Sequence, residues 1–242
     1  MKFAKPLLYG FFILAIVVMV FVIWASSAMG PAPEALAALR SDEHVTVSLH
    51  EYIVFQPAKK RLTTAFVFYP GARADYRSYA APLHKIAADG YLVVLLPARL
   101  NFAVFDVNAA DRAIAAFPEI RHWVVGGHSL GGMAAATYAS RKEDLDGVVF
   151  WASYPVNDAL KNIDMKILSI YGTLDISGMD RFDAARTDLP QDTEFVIIDG
   201  GNHAQFGDYG FQPGDNEGTI TRLDQQKQVV EATVKFLKEV SE

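Results

Sequence analysis

The chain has no cysteine among its 242 residues. That absence removes a thiol nucleophile, a disulfide framework and any cysteine-ligated metal or cluster. Basic clusters are missing as well. Lysine and arginine total 22 against 28 acidic residues, a formal net charge of −6. An acidic domain is repelled by nucleic acid, so no nucleic-acid partner is expected. There is no internal repeat and no low-complexity segment. With 51% hydrophobic residues, the length suits one compact domain with a substantial core plus a small extra piece. Finally, charge of either sign is absent between Lys5 and Glu34.

That charge-free stretch is apolar. Leu7 to Ala25 reads LLYGFFILAIVVMVFVIWA. As a helix rising 1.5 Å per residue it spans roughly 28 Å, close to the hydrocarbon thickness of a bilayer. Lys2 and Lys5 precede it, so the positive-inside rule keeps that end cytoplasmic and exports the rest. Trp24 suits the far interface. Residues 1–29 are therefore expected to be a single-pass signal anchor, with membrane contact through residues 7–25. The protein would sit in the cell membrane with its domain outside the cytoplasm. The alternative is a signal peptide cleaved near Ser26, Ser27 and Ala28, giving a secreted protein. Residues 30–44 read as a spacer, and 45–242 as the folded domain.

From Val45 the chain alternates strand-like and helix-like segments. Apolar or β-branched runs lie at Val45–Val54, Thr63–Tyr69, Tyr91–Leu96, His122–Gly126, Gly147–Trp151, Met165–Tyr171 and Glu194–Ile198. Helical patterns lie at Tyr76–Ala88, Asn108–Ala116, Gly131–Ser140, Arg181–Thr187 and Gln225–Val240. This alternation predicts an α/β fold with a mostly parallel sheet and helices on both faces. The first two runs are close enough for an antiparallel hairpin through Pro57–Arg61.

The strongest chemical signal is Gly127-His128-Ser129-Leu130-Gly131, a G-x-S-x-G pattern between an apolar strand and an Ala-rich helix. A sharp strand-to-helix turn would lift Ser129 above the sheet, and its glycines leave room for the strained backbone. The helix N-terminus then offers unpaired N–H groups to a developing oxyanion. A serine hydroxyl is a weak nucleophile and needs a base held by an acid. On such a framework the acid and then the histidine follow in later strand-end loops. Asp175 ends the run MKILSIYGTLD, and His203 follows TEFVIIDGGN. Asp180 and Asp183 fall in or beside the next helix. No other histidine follows Ser129, and His128 is read as facing away from the base position. A second oxyanion donor is expected in Tyr69-Pro70-Gly71-Ala72, so the donors are the N–H groups of Ala72 and Leu130. Gly71, Arg73, Tyr76 and His128 are expected to line the mouth.

Together these residues resemble the α/β-hydrolase family over nearly the whole chain from Val45. The resemblance implies an eight-stranded sheet and an acyl-enzyme. Within the family the chain is similar to the compact, lidless subgroup near dienelactone hydrolases. Those carry cysteine where this sequence has Ser129, so dienelactone chemistry is not carried over. Only Val156–Asp164 separates the strand ending WASYP from the next, too little for a cap domain, so the site should be open. The long polar segment Gln205–Thr221 beside His203 reads as a functional loop or rigid rim. Its Asp208, Asp215, Asn216 and Glu217 lack EF-hand spacing, and no metal is expected. The reading is a serine hydrolase acting on small carboxylic esters without a cofactor. An acyltransferase, amidase or peptidase with the same triad is one alternative. A non-catalytic, membrane-tethered binding module is the other.

Overall fold

A computed structural model of the chain describes residues 4–58 and 62–242, with side chains from residue 9 onward at the N-terminus. Lys2, the side chain of Lys5 and part of the expected Pro57–Arg61 turn lie outside the described residues.

Helix α1 (Ala4–Ser26) leads the chain. It contains one stretch, Tyr9–Ser26, long and apolar enough to cross a membrane. A short helix α2 (Pro33–Ala37) follows. Eight strands then form one sheet in the order β1-β2-β4-β3-β5-β6-β7-β8. They are β1 (Val45–Leu49), β2 (Ile53–Pro57), β3 (Thr64–Tyr69), β4 (Leu92–Leu95), β5 (His122–His128), β6 (Gly147–Trp151), β7 (Lys166–Gly172) and β8 (Glu194–Ile198). Only β2 runs against its neighbours, pairing antiparallel with β1 and β4. All remaining pairs are parallel. The connecting helices are α3 (Ala80–Ala88), α4 (Ala110–Ala116), α5 (Leu130–Ala139), α6 (Met179–Ala185) and α7 (Arg222–Ser241).

Period-two alternation divides the sheet between two cores. Phe66, Phe68, Val93, Leu95 and Val124 face α3 and α7. Ala65, Val67, Val94, Trp123 and Val125 face α4 and α5. Central strands are thus buried on both sides, which explains their continuous apolar runs. Between β6 and β7 there is only a 3-10 turn at Asp158–Leu160, so the fold carries no cap domain.

Two sequence expectations change. The run Val45–Val54 is two strands, turning at His50–Tyr52, where the His50 N–H bonds the Tyr52 carbonyl at 3.2 Å. The expected hairpin between β2 and β3 does not form, because β4 lies between them. The apolar faces of β2 are satisfied by β4, whereas β3 takes the centre of the sheet. The second change concerns residues 30–44. Rather than a loose spacer, this segment docks on the domain. The Met29 N–H bonds the Arg73 carbonyl at 2.7 Å, and the Ala32 N–H bonds the Asp208 carbonyl at 2.7 Å. Ala25 and Ala35 are fully buried.

Candidate active site

The sheet order reverses around β3, since the chain steps from β3 to β4 on one side and then to β5 on the other. A crevice opens at the carboxyl ends of strands at such a switch point. Register pairs Tyr69 with Gly127, so the loops after β3 and β5 leave the sheet side by side. Ala72 belongs to the first and Ser129 to the second. Ser129 has φ 52° and ψ −125°, a strained conformation for a side-chain-bearing residue. A Cβ on Gly131 would run into the carbonyl oxygens of Tyr69 and Pro70, and one on Gly127 would lie 2.6 Å from the Gly131 oxygen. Both positions must therefore be glycine for the turn to close. Ser153, just after β6, donates to the Ser129 carbonyl at 2.7 Å and steadies the turn. The sequence offered no signal for Ser153, because its partner is a backbone atom in another loop.

The expected acid and base come together. His203 Nδ1 lies 2.9 Å from Asp175 Oδ2, with both side chains buried. The other carboxylate oxygen of Asp175 accepts the Ser177 N–H at 2.8 Å. Among the described residues, none hydrogen-bonds Ser129 Oγ in this resting geometry. Such contacts often tighten only with substrate bound. Leu130 opens α5, so its N–H lacks an intrahelical acceptor, and the Ala72 N–H finds no backbone acceptor among the described residues.

The loop carrying His203 is clasped from three sides. Gln225 of α7 accepts the Asn202 N–H at 3.0 Å and donates to the Asn202 carbonyl at 2.8 Å. Asp215 accepts the Ala204 N–H at 2.7 Å and the His203 N–H at 3.4 Å. Asn216 donates to the Leu174 carbonyl at 3.0 Å, tying the same rim to the Asp175 loop. The Gln205–Thr221 segment is thus a brace for the histidine, and the Asp215 carboxylate is occupied by backbone donors.

His128 is corrected. It does not line the mouth, and it does not face away from the base. Its ring is buried, with its centroid 4.5 Å from that of His203. His128 Nε2 lies 3.1 Å from the His203 carbonyl, which only accepts, so Nε2 carries the proton. Nδ1 then accepts from the Tyr79 hydroxyl at 2.8 Å, and that oxygen accepts the Gly71 N–H at 3.1 Å. This strut joins the Ala72 loop to the His203 loop. Gly71 is corrected with it. A Cβ there would meet His128 Nδ1 and Tyr79 Oη, so its smallness serves the interior and not the substrate. Arg73 and Tyr76 also turn to other partners. Arg73 stacks on Trp24, and Tyr76 packs against the α3/α7 core.

Burial, and next the neighbouring His203, hold His128 well below the ordinary histidine value of 6.5. The unfolded chain takes up this proton below pH 6.5 and the folded chain does not. Stability is therefore complete above that pH and falls as the pH drops, by about 1.4 kcal/mol per pH unit from this group. Unfolding titrations should show this group removing about 1.4 kcal/mol in all between pH 7.5 and 5.5, and the loss should shrink in His128→Gln. An identical loss in the variant would remove His128 as its source.

Two clefts are lined by residues near the site in sequence, though not by Ser129, Asp175 or His203 themselves. One, of about 230 Å³, runs from Met133 of α5 past Tyr154 to Arg181. The other, of about 350 Å³, lies along Ala204, Phe211 and Asn216. Met133 lies one turn into α5, its N–H bonded to the Ser129 carbonyl at 3.3 Å.

A serine-bearing strand–helix turn on an eight-stranded, mostly parallel sheet, with a histidine–aspartate pair at neighbouring strand ends, defines a class of hydrolase fold. The model of the Alpha/beta hydrolase family matches residues 65–227, and the chain belongs to that family. No curated protein matches the sequence. Solved structures share the fold at low identity. One is a dienelactone hydrolase-like promiscuous phosphotriesterase from metagenomic libraries, 17% identical, TM-score 0.60, over 78% of this chain and 92% of that one. Another is the esterase domain of a Rhodothermus marinus protein, 14% identical, TM-score 0.59, over 78% and 92% respectively. A third, TT1662 from Thermus thermophilus, is 14% identical with TM-score 0.57, over 80% and 98%.

Proposed function

We propose that this chain is a membrane-anchored serine esterase with Ser129 as nucleophile, His203 as base and Asp175 as acid. The observation that carries the reading is the buried Asp175–His203 bond at 2.9 Å, with the His203 ring 4.5 Å from that of His128, the residue before a serine held at φ 52°. A strained serine and an oriented imidazole have no joint purpose in a merely structural loop. His203 Nε2 takes the Ser129 proton as Oγ attacks the ester carbonyl. The N–H groups of Ala72 and Leu130 receive the oxyanion. Protonation of the leaving alcohol by His203 yields the acyl-serine, and water activated by the same imidazole releases the acid. Asp175 keeps the ring in the required tautomer and stabilises its cation.

The anchor reading is supported by the way the domain completes α1. Asn101 donates to the Ala25 carbonyl at 2.9 Å, and Arg73 donates to that of Ser27 at 3.3 Å. Helix-end carbonyls need such partners, and a cation there also suits the helix dipole. Cleavage near Ala28 would strand both side chains, which supports a retained helix, and Lys2 and Lys5 ahead of it support a domain outside the cytoplasm.

A fluorophosphonate probe tests the catalytic reading. The full chain in detergent should give a stoichiometric adduct that maps to Ser129 and is lost in Ser129→Ala. Absence of an adduct on folded, monodisperse protein would turn the reading toward a binding module on a hydrolase scaffold.

A further inference from the structure

The loop after β4 carries apolar side chains on the outside of the domain. Leu100 is 39% exposed, Val104 38% and Phe105 48%. Core packing does not require them there. Leu100 and Asn101 both adopt left-handed backbone conformations, φ 50° and 58°, unfavourable for leucine, while Asn101 is held by bonds to Ala25 and Arg73.

The face is continuous with α1. Phe102 packs on Trp24 at 5.8 Å between ring centroids and on Phe21 at 6.3 Å. Phe105 meets Phe21 edge-on at 6.5 Å. Phe21 lies four residues before Ala25, about 6 Å deeper along the helix axis than the end at which the domain begins. A ring stacked on Phe21 therefore shares its depth. With α1 across a bilayer, Phe105 and its neighbours reach the boundary between headgroups and acyl chains, where aromatic residues are favoured.

We infer that Leu100, Val104 and Phe105 form a second membrane contact that dips into the outer leaflet and offers the reaction site to esters carried by that leaflet. The inference rests on the anchor and esterase readings above. Its geometry follows from one junction. Arg73 caps α1 and stacks on Trp24 at 4.5 Å, while the preceding residue, Ala72, supplies the proposed oxyanion donor. The Arg73 backbone pairs with Met29, three residues beyond the end of α1, so the acyl carbonyl would react close to that end, at the level of the headgroups. An amphiphile with its ester at that depth reaches Ser129 without leaving the membrane.

The native chain lacks cysteine, so one introduced thiol gives a unique label. The full chain would be placed in phosphatidylcholine vesicles with an environment-sensitive fluorophore at Val104→Cys, Leu100→Cys, Val22→Cys or Glu231→Cys. Quenching by lipid bearing a shallow nitroxide is expected at 22, 100 and 104 but not at 231. Quenching at 22 without quenching at 100 and 104 overturns the second contact and leaves the anchor standing. No quenching at 22 overturns the anchor reading and the contact with it. Labels at 100 and 104 shielded from aqueous iodide yet unquenched by lipid show a second copy or another protein on this face, and also overturn the inference. For the substrate half, Leu100→Asp/Val104→Asp should lose on the order of tenfold in turnover of a vesicle-borne ester, with hydrolysis of a soluble p-nitrophenyl ester unchanged. An unaltered ratio of the two rates overturns it. Failure of the soluble assay in the unmodified protein overturns the esterase reading, and the substrate half of the inference with it.

Discussion

Asp175→Asn is expected to lower kcat on a soluble ester by about 10⁴-fold while leaving the fold intact. The argument rests on the two partners of the carboxylate. Oδ1 accepts the Ser177 N–H, and Oδ2 faces His203 Nδ1. An asparagine must keep its oxygen toward Ser177, because a backbone N–H needs an acceptor. Its amide nitrogen then faces Nδ1 and donates to it. Nδ1 is forced to accept, the proton moves to Nε2, and the imidazole can no longer take a proton from Ser129. Volume and burial hardly change, so the melting temperature should move little. Binding contacts to substrate are untouched, so KM should change much less than kcat. The same variant should slow fluorophosphonate labelling of Ser129, since that reaction also needs the base. A loss of less than tenfold in both rates would remove Asp175 from the role of acid and direct attention to Asp180 and Asp183.

The legible part of this structure is the part in which one residue reports on itself. Apolar runs located the central strands because both sheet faces are buried, so every side chain in Thr64–Tyr69 had to be apolar or small. The nucleophile turn was legible because its glycines are required by backbone crowding within a few residues. Chain order then located Asp175 and His203. What the sequence hid depends on partners distant along the chain. Tyr79 and His128 are 49 positions apart and meet only because β3 and β5 are neighbours. The Asn202–Gln225 clasp joins a strand-end loop to the last helix, and neither residue carries a periodic signal. Gly71 was assigned to the substrate side because a Pro-Gly turn gives no indication of which flank is crowded. The docked segment after α1 was missed for a related reason. Its bonds to Arg73 and Asp208 are made by backbone atoms, and composition does not record those. Arg73 itself was expected at the mouth, but the nearest electron-rich ring belongs to Trp24 of α1.

Gly131→Ala should be among the most damaging single methyl additions in the domain. Its Cβ would press on the carbonyl oxygens of Tyr69 and Pro70. Neither obstacle is a side chain that can rotate away. Tyr69 is fixed in β3 by its pairing opposite Gly127 of β5, and Pro70 leads directly into the Ala72 loop. Relief requires either parting the two central strands or lifting α5, whose first turn carries Ser129. Overpacking in a well-filled core typically costs 1–3 kcal/mol, and a clash with backbone on both sides belongs at the upper end, about 3 kcal/mol. For a chain of this size that corresponds to a fall in Tm of roughly 6–12 °C, measurable by tryptophan fluorescence in detergent. Activity should fall further than stability alone implies, because the same displacement separates Ser129 from the Ala72 N–H. Gly178→Ala is the informative contrast. Gly178 also has an unusual backbone, φ 75°, but a Cβ there meets nothing within 4 Å. Its cost is backbone strain alone: φ 75° and ψ 149° lie at the edge of a region essentially confined to glycine, about 1–3 kcal/mol, with no consequence for Ser129. A Gly131→Ala protein that melts within 2 °C of the parent and turns over normally would mean that α5 can move away from β3 freely. The rigidity assigned to the nucleophile turn would then be wrong.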